Sequence, residues 1–154
     1  TTLFRSGLQS GYAPIEIAGD KGAYPLVLVP YDTLRIASGY VGNPPFMTKT
    51  VSDEVLKMQD IFVEVNPQTA GQLGLSEGSR ATLSTPDGSA QVRIHLYQGL
   101  MPGLVAMVRG LGHSAYDKYL AGKGENINRL MAAVPDPVSG LDAAWGIRAK
   151  LTRS

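Results

Sequence analysis

The amino-acid sequence predicts a small, mainly β domain with short helices, its strands closed into a barrel. Three observations lead there. The first is size: 154 residues, 44% hydrophobic and 18% charged, suit a single core that buries about 68–70% of the unfolded surface. The second is punctuation. Eighteen glycines and ten prolines fall between short apolar runs, as turns do between many short strands. The third is a two-residue alternation over 90–97, with Ala90, Val92, Ile94 and Leu96 on one side and Gln91, Arg93, His95 and Tyr97 on the other. No internal repeat, heptad or low-complexity tract interrupts the pattern.

Residues 1–23, rich in Gly and Ser and without a sustained period, read as an extended lead-in or linker, and 24–152 as the barrel. The run YPLVLVP at 24–30 is continuously apolar between prolines, as a strand buried on both faces is. The polar stretch 31–49 is too long for a turn, and long ordered loops on rigid scaffolds usually carry function. Residues 51–58 are expected to form a short helix. Alternation over 60–66 puts Ile61, Val63 and Val65 on one face.

Asn66 followed by Pro67 predicts a helix start. The Asn side chain can accept from a free N–H, and Pro fits a first turn whose N–H needs no partner. Ala70 and Leu73 then face inward, and Gly74 ends the helix. Residues 79–84 and 90–97 form a hairpin across the turn Thr85-Pro86-Asp87-Gly88. A strand over 104–109 follows Met101-Pro102-Gly103, and a glycine-rich loop follows that strand at 110–114. Single helical turns are expected over 116–120 and 126–131, a turn over 135–140, and an alternating edge strand over 147–152. Six or seven strands with one or two short helices make a barrel, not a layered α/β domain.

Several function classes fall away. Fourteen Lys and Arg against thirteen Asp and Glu leave a net charge of +1, which supplies no bulk footprint for duplex nucleic acid or anionic lipid. The apolar runs, such as 26–29, are far short of the ~20 residues that span a bilayer, so no direct membrane insertion is expected. Residues 1–10 lack the apolar core of a secretory signal. Without cysteine there is no disulfide, thiolate ligand or cysteine nucleophile in the chain, and two histidines cannot make a three-histidine zinc site. Two facing carboxylates for glycoside chemistry cannot be picked from the thirteen present. Gly78-Ser79 and Gly88-Ser89, where a self-processing barrel enzyme similar to aspartate decarboxylase would be cleaved, fit ordinary hairpin punctuation.

Taken in order, a series of residues carries a resemblance. It runs Val65-Asn66-Pro67, Ala70, Leu73-Gly74-Leu75, Glu77-Gly78, the Asp87-Gly88 hairpin, Met101-Pro102-Gly103, Gly110-Leu111-Gly112-His113 and Asn126-Ile127-Asn128-Arg129-Leu130. The series resembles the carboxy-terminal dinucleotide-binding domain of the molybdopterin oxidoreductases related to dimethyl sulfoxide reductase, over about 24–151. It is most like the branch of polysulfide and thiosulfate reductases and of membrane quinone reductase complexes. The resemblance implies a six-stranded double-psi β-barrel that closes over a molybdopterin guanine dinucleotide, with Mo or W held mainly by other domains. It implies as partners the remaining domains or subunits of an oxidoreductase, on the periplasmic side of a bacterial membrane complex. It implies no catalytic residue, no metal ligand and no activity for this chain alone. In the quinone reductase group the cofactor can be absent. The stretch Thr33-Leu34-Arg35-Ile36-Ala37-Ser38-Gly39 also lacks the His-Thr or His-Ser pair that cofactor-binding relatives often carry there. The alternative reading is a cofactor-free structural or interaction domain of the same fold.

Phosphates are held by backbone N–H groups of glycine-rich loops, by hydroxyls and by Arg forks, and heterocycle edges by amides. The candidates of those types are Thr33, Arg35, Ser38, Gly39 and Asn43 after the first strand, Gly112 and His113 in the glycine-rich loop, and Asn126 and Asn128 further on. Each has a plainer explanation. The first group suits an irregular surface loop, 110–114 a strand-ending turn with a capping histidine, and Asn126 an N-cap with Asn128 exposed. In an extended segment Asn126 and Asn128 would instead point to one side. Lys118, Lys123 and Arg129 make a mildly positive stretch that a solvated face explains equally well, His95 reads as solvated, and Trp145 as core. The site reading requires 31–43, 110–114 and 126–128 to meet at one rim.

Overall fold

The computed structural model describes residues 17–36, 49–115, 119–136 and 139–154. Among these residues seven strands are formed: β1 (Leu26–Tyr31), β2 (Leu56–Lys57), β3 (Asp60–Val65), β4 (Arg80–Ser84), β5 (Ser89–Leu96), β6 (Leu104–Val108) and β7 (Ile147–Arg153). Six of them close a ring in the order β3-β5-β4-β7-β1-β6, with β6 pairing back onto β3, and β2 is appended to β3. The β1/β6 and β3/β5 pairs are parallel and the other four ring pairs antiparallel. This is the six-stranded double-psi barrel that the resemblance implies. Parallel neighbours need long crossovers, and here the crossovers carry other strands of the same ring.

The barrel is filled by the alternating side chains of every strand. Leu28, Val63, Val65, Leu83, Ile94, Val105, Met107 and Ala149 are fully or almost fully buried and belong to one cluster. In β5 the alternation read from sequence holds: Ala90, Val92 and Ile94 are buried, while Gln91 and Arg93 are not. Within β1, burial on both faces holds only for the first half, where Leu26, Val27 and Leu28 are all buried, and Val29 to Tyr31 are half-covered.

The helix α1 (Pro67–Gln72) begins as expected. Asn66 Oδ1 accepts from the Gln68 N–H at 2.9 Å, and its Nδ2 donates to Leu100 O at 2.7 Å, tying the helix start to the turn before β6. At the other end the Leu75 N–H reaches Ala70 O at 2.9 Å and the Gly74 N–H reaches Gly71 O at 3.2 Å, which satisfies two orphan carbonyls.

Some expectations are corrected. Residues 51–58 are not a helix: the Ser52 hydroxyl accepts from the Glu54 N–H at 3.2 Å, and β2 then pairs with β3. A Ser side chain that engages its own backbone competes with helix in this way. The strand at 147–152 is no edge, because β7 is paired with both β1 and β4; closure of the ring abolishes edges. His95 is not simply solvated, since its Nδ1 lies 3.3 Å from Glu77 Oε1 with the side chain 18% exposed. Of the helical turn expected over 116–120, residues 116–118 lie outside the described residues.

Candidate functional site

β1 and β6 run in parallel and finish at the same end of the barrel, where β3 begins. Tyr31 and Val108 are register partners, and the Arg109 N–H donates to Tyr31 O at 2.9 Å. The segments that follow, 32–36 and 110–114, therefore leave side by side. The second is stitched to 119–124: the Gly112 N–H donates to Lys123 O at 2.8 Å and the Gly122 N–H to His113 O at 2.9 Å. Gly112 has φ +77°, and a Cβ there would sit 2.1 Å from the backbone N of Asn126. Only glycine permits that approach together with that φ.

Beyond this contact Asn126 starts a 3-10 turn, Ile127–Arg129. Ile127 and Leu130 enter the core cluster like a plug in the barrel mouth. The far side of the plug is fastened to the β4–β5 turn. There the buried Thr85 hydroxyl donates to Leu130 O at 2.8 Å, and Asp87 Oδ2 accepts from the Ala132 N–H at 2.9 Å. The described parts of the three segments thus converge on one rim, although they are far apart along the chain.

The candidate residues fare unequally within it. Thr33 is half-buried and its Oγ1 is enclosed without a hydrogen-bond partner. Arg35 is exposed, and Ser38, Gly39 and Asn43 lie outside the described residues. Gly112 carries the backbone contact just described. The His113 Nε2 lies 3.2 Å from Gly110 O, so the ring turns back on its own loop. Asn126 Oδ1 accepts from the Asn128 N–H at 3.0 Å, and Asn128 is exposed. The two amides therefore do not form an extended pair facing one side: the first is spent as a cap, and the second borders a cleft.

That cleft, of about 340 Å³, is lined by Pro30, Arg109, Ile127, Asn128, Met131 and Asp142, among others. A second hollow of about 350 Å³ adjoins it, sharing Pro30, Arg109 and Asp142 and adding Val29 and Trp145. Sequence reasoning passed over Arg109, Asp142 and Trp145. Arg109 had a signal, since it ends the expected strand directly before Gly110 and so sits over the mouth. Trp145 had a misleading one. It shares the parity of Ile147, Ala149 and Leu151, but it stands before β7 begins and is 72% exposed. Arg109 has no carboxylate within 4.0 Å among the described residues.

The Tyr31 hydroxyl is enclosed beside Glu64. Burial, then the negative charge of Glu64 and contact with its carboxylate, hold this phenol well above its ordinary pKa. The enclosed Thr33 hydroxyl, two residues on, has no hydrogen-bond partner among the described residues.

Comparison with known proteins matches residues 40–146 to the family described as the molydopterin dinucleotide binding domain. The menaquinone reductase molybdopterin-binding-like subunit of Nitratidesulfovibrio vulgaris is 40% identical over 123 residues, which is 80% of this chain and 18% of that one. The arsenate respiratory reductase molybdopterin-containing subunit ArrA of Shewanella sp. strain ANA-3 is 30% identical over 136 residues, 83% of this chain and 16% of that one. The chain thus spans less than a fifth of the length of these relatives. Among solved structures, acetylene hydratase from Pelobacter acetylenicus superposes with a TM-score of 0.63 at 18% identity, over 95% of this chain and 22% of that one, and shares the fold.

Proposed function

Since the chain belongs to the molydopterin dinucleotide binding domain family, we propose that it holds the guanine dinucleotide end of a molybdopterin cofactor within a larger oxidoreductase. The observation that carries this reading is the rim itself, where Arg109 and Asn128 border one cleft and, among the described residues, Arg109 has no carboxylate partner and the enclosed Thr33 hydroxyl no hydrogen bond. These are the types a dinucleotide asks for: a guanidinium fork and a hydroxyl for phosphate oxygens, and an amide for a ring edge. The residues present fit the group.

The bound cofactor supplies the oxidation–reduction chemistry, with its metal held mainly by other domains. This chain's residues bind, orient and bury. Arg109 and Thr33 offer donors to the phosphates, and Asn128 offers a donor and an acceptor to a heterocycle. Arg35, Ser38, Gly39 and Asn43 belong to the same proposed binding set by their place after β1. Relatives whose names include menaquinone and arsenate reductase support an oxidoreductase setting with further domains or subunits as partners.

A second reading, the same barrel without cofactor, draws on His113 and Asn126, which spend polar atoms on their own backbone. One experiment decides. Acid release and oxidation of the native assembly, read by pterin fluorescence and guanine nucleotide analysis, is expected to yield both in equal amounts, about one per chain. Recovery of neither overturns the dinucleotide reading and leaves the cofactor-free one.

A further inference from the structure

We propose that residues 11–16 dock on the outer wall of the barrel, across β1 and β6, with the Ile15 side chain seated in an apolar hollow beside Trp145. The inference stands apart from the dinucleotide reading, since it concerns what covers the wall and holds with or without a cofactor.

A barrel strand needs one apolar face, and β1 has two. Leu26 and Leu28 belong to the interior cluster. Val27 and Val29 point the other way, and Val27 is the parallel register partner of Leu104 in β6. These three line a hollow of about 620 Å³ together with Ile17, Val134 and Trp145. Val134 is 45% and Trp145 72% exposed, although large contiguous apolar surface is rarely left to water. The walls of the hollow are held by the backbone. The Ala143 N–H donates to Val134 O at 2.7 Å and the Trp145 N–H to Ala143 O at 2.8 Å. Gly146 packs so closely that a Cβ there would lie 3.0 Å from Leu28 O. The hollow is therefore shaped and apolar, and it calls for an apolar occupant.

The chain's own course points to that occupant. Ile17 and Ala18 already line the hollow. Ala18 makes a parallel bridge with Ile147, and its carbonyl accepts from the Arg148 N–H at 2.8 Å. Segments joined by a parallel bridge run the same way. The residues before Ala18 therefore arrive from the side held by the residues before Ile147, which are Gly146 and Trp145. An extended chain advances roughly 3.3–3.6 Å per residue, so Ile15 stands about 10 Å back from Ala18, a distance comparable to the width of the hollow. The residue types agree with this course. Ala13, Ile15 and Ile17 alternate with Pro14 and Glu16, so in an extended segment Ile15 shares the side of Ile17 while Glu16 faces water. Pro14, which has no N–H to give to a ladder, suits an outermost strand.

The chain has one tryptophan and no cysteine, so a single indole N–H signal and a single engineered thiol report on this contact alone. A nitroxide carried on the thiol of Tyr12→Cys in the 154-residue chain is expected to abolish the Trp145 indole signal in NMR spectra, and reduction of the label to restore it. Adding Ile15→Asp to the labelled chain is expected to bring the signal back without reduction. In the unlabelled chain the same substitution is expected to shift Trp145 emission to the red and to raise its quenching by acrylamide. An undiminished indole signal in the labelled chain overturns the docking. So does a loss that Ile15→Asp leaves in place. A loss that appears when labelled chains are mixed with unlabelled, isotope-enriched ones also overturns it, since a second copy would then be the occupant. None of these results bears on the cofactor recovered from the native assembly, so the two readings fail separately.

Discussion

Replacing Gly112 by alanine tests the contact on which the rim depends. Two effects add at this position. Its φ of +77° is a left-handed conformation that costs an L-residue roughly 1–2 kcal/mol. The new Cβ would also stand 2.1 Å from Asn126 N and 2.4 Å from Glu125 C. Those are backbone atoms, so no side chain can swing aside, and such overpacking adds about 1–3 kcal/mol. The expected loss is about 2–5 kcal/mol. Gly122 supplies the control, because its φ is +72° but nothing lies within 4 Å of a Cβ built there. Gly122→Ala should cost only the conformational part, about 1–2 kcal/mol. With a urea slope of about 2 kcal/mol/M, the first variant should move the unfolding midpoint by roughly 1–2.5 M and the second by about 0.5–1 M. Equal midpoints for the two variants would refute the backbone contact between 110–114 and 125–126, and with it the compact rim.

Other perturbations follow from the same structure. Thr85 is 4% exposed, and its hydroxyl donates to Leu130 O at 2.8 Å while accepting from the Gly88 N–H at 3.2 Å; Thr85→Val should cost about 1–3 kcal/mol and Thr85→Ser much less, as read by urea unfolding. Ile94 is fully buried at 0%, so Ile94→Ala should cost about 2–5 kcal/mol, and a smaller loss in the same assay would contradict the packed interior. Tyr31 gives a pH dependence. Its folded pKa is raised above the ordinary 10.0, first by burial and then by Glu64, so its contribution is intact below pH 10 and is lost as pH rises beyond it. Above that pH the wild type should lose stability faster than Tyr31→Phe, by up to about 1.4 kcal/mol per pH unit; parallel curves would show that the phenol is not buried in this way.

What could be read beforehand was local. The β4–β5 hairpin, the Asn66 cap and the alternation of β3 depend on neighbours within a few residues, and each is present. The barrel came from the count of strands, and its double-psi topology from the order of motifs, since β1–β6 and β3–β5 pair across long stretches of chain. Two elements were misread because a distant partner decided them. Residues 51–58 carry apolar spacing that suits a turn of helix, but β3 offers Leu56 and Lys57 a strand partner. The last strand looks like an edge until closure gives it a neighbour on each side. Trp145 is a separate case: it shares the parity of the buried residues of β7, but it stands before that strand begins and is left exposed. In the site, glycine-rich spacing located 110–114, but nothing local said that Arg109 would be left without a carboxylate partner.

The rim is not an ornament added to a finished barrel. Ile127 and Leu130, which fill the mouth, belong to the same buried cluster as Leu28, Val63 and Ile94, and the polar residues of the site are carried on the backbone that those side chains anchor. Arg109 and Tyr31 are joined by a main-chain bond at the ends of β1 and β6, parallel neighbours in the ring that lie far apart along the chain. Side chains held in this way lose little further freedom when a ligand arrives, which favours binding by preorganisation. The exception is informative. The Thr33 hydroxyl, which has no hydrogen-bond partner among the described residues, stands where β1 hands over to the loop, so the barrel positions it without satisfying it. Packing explains where it is, and the proposed phosphate would explain what it is for.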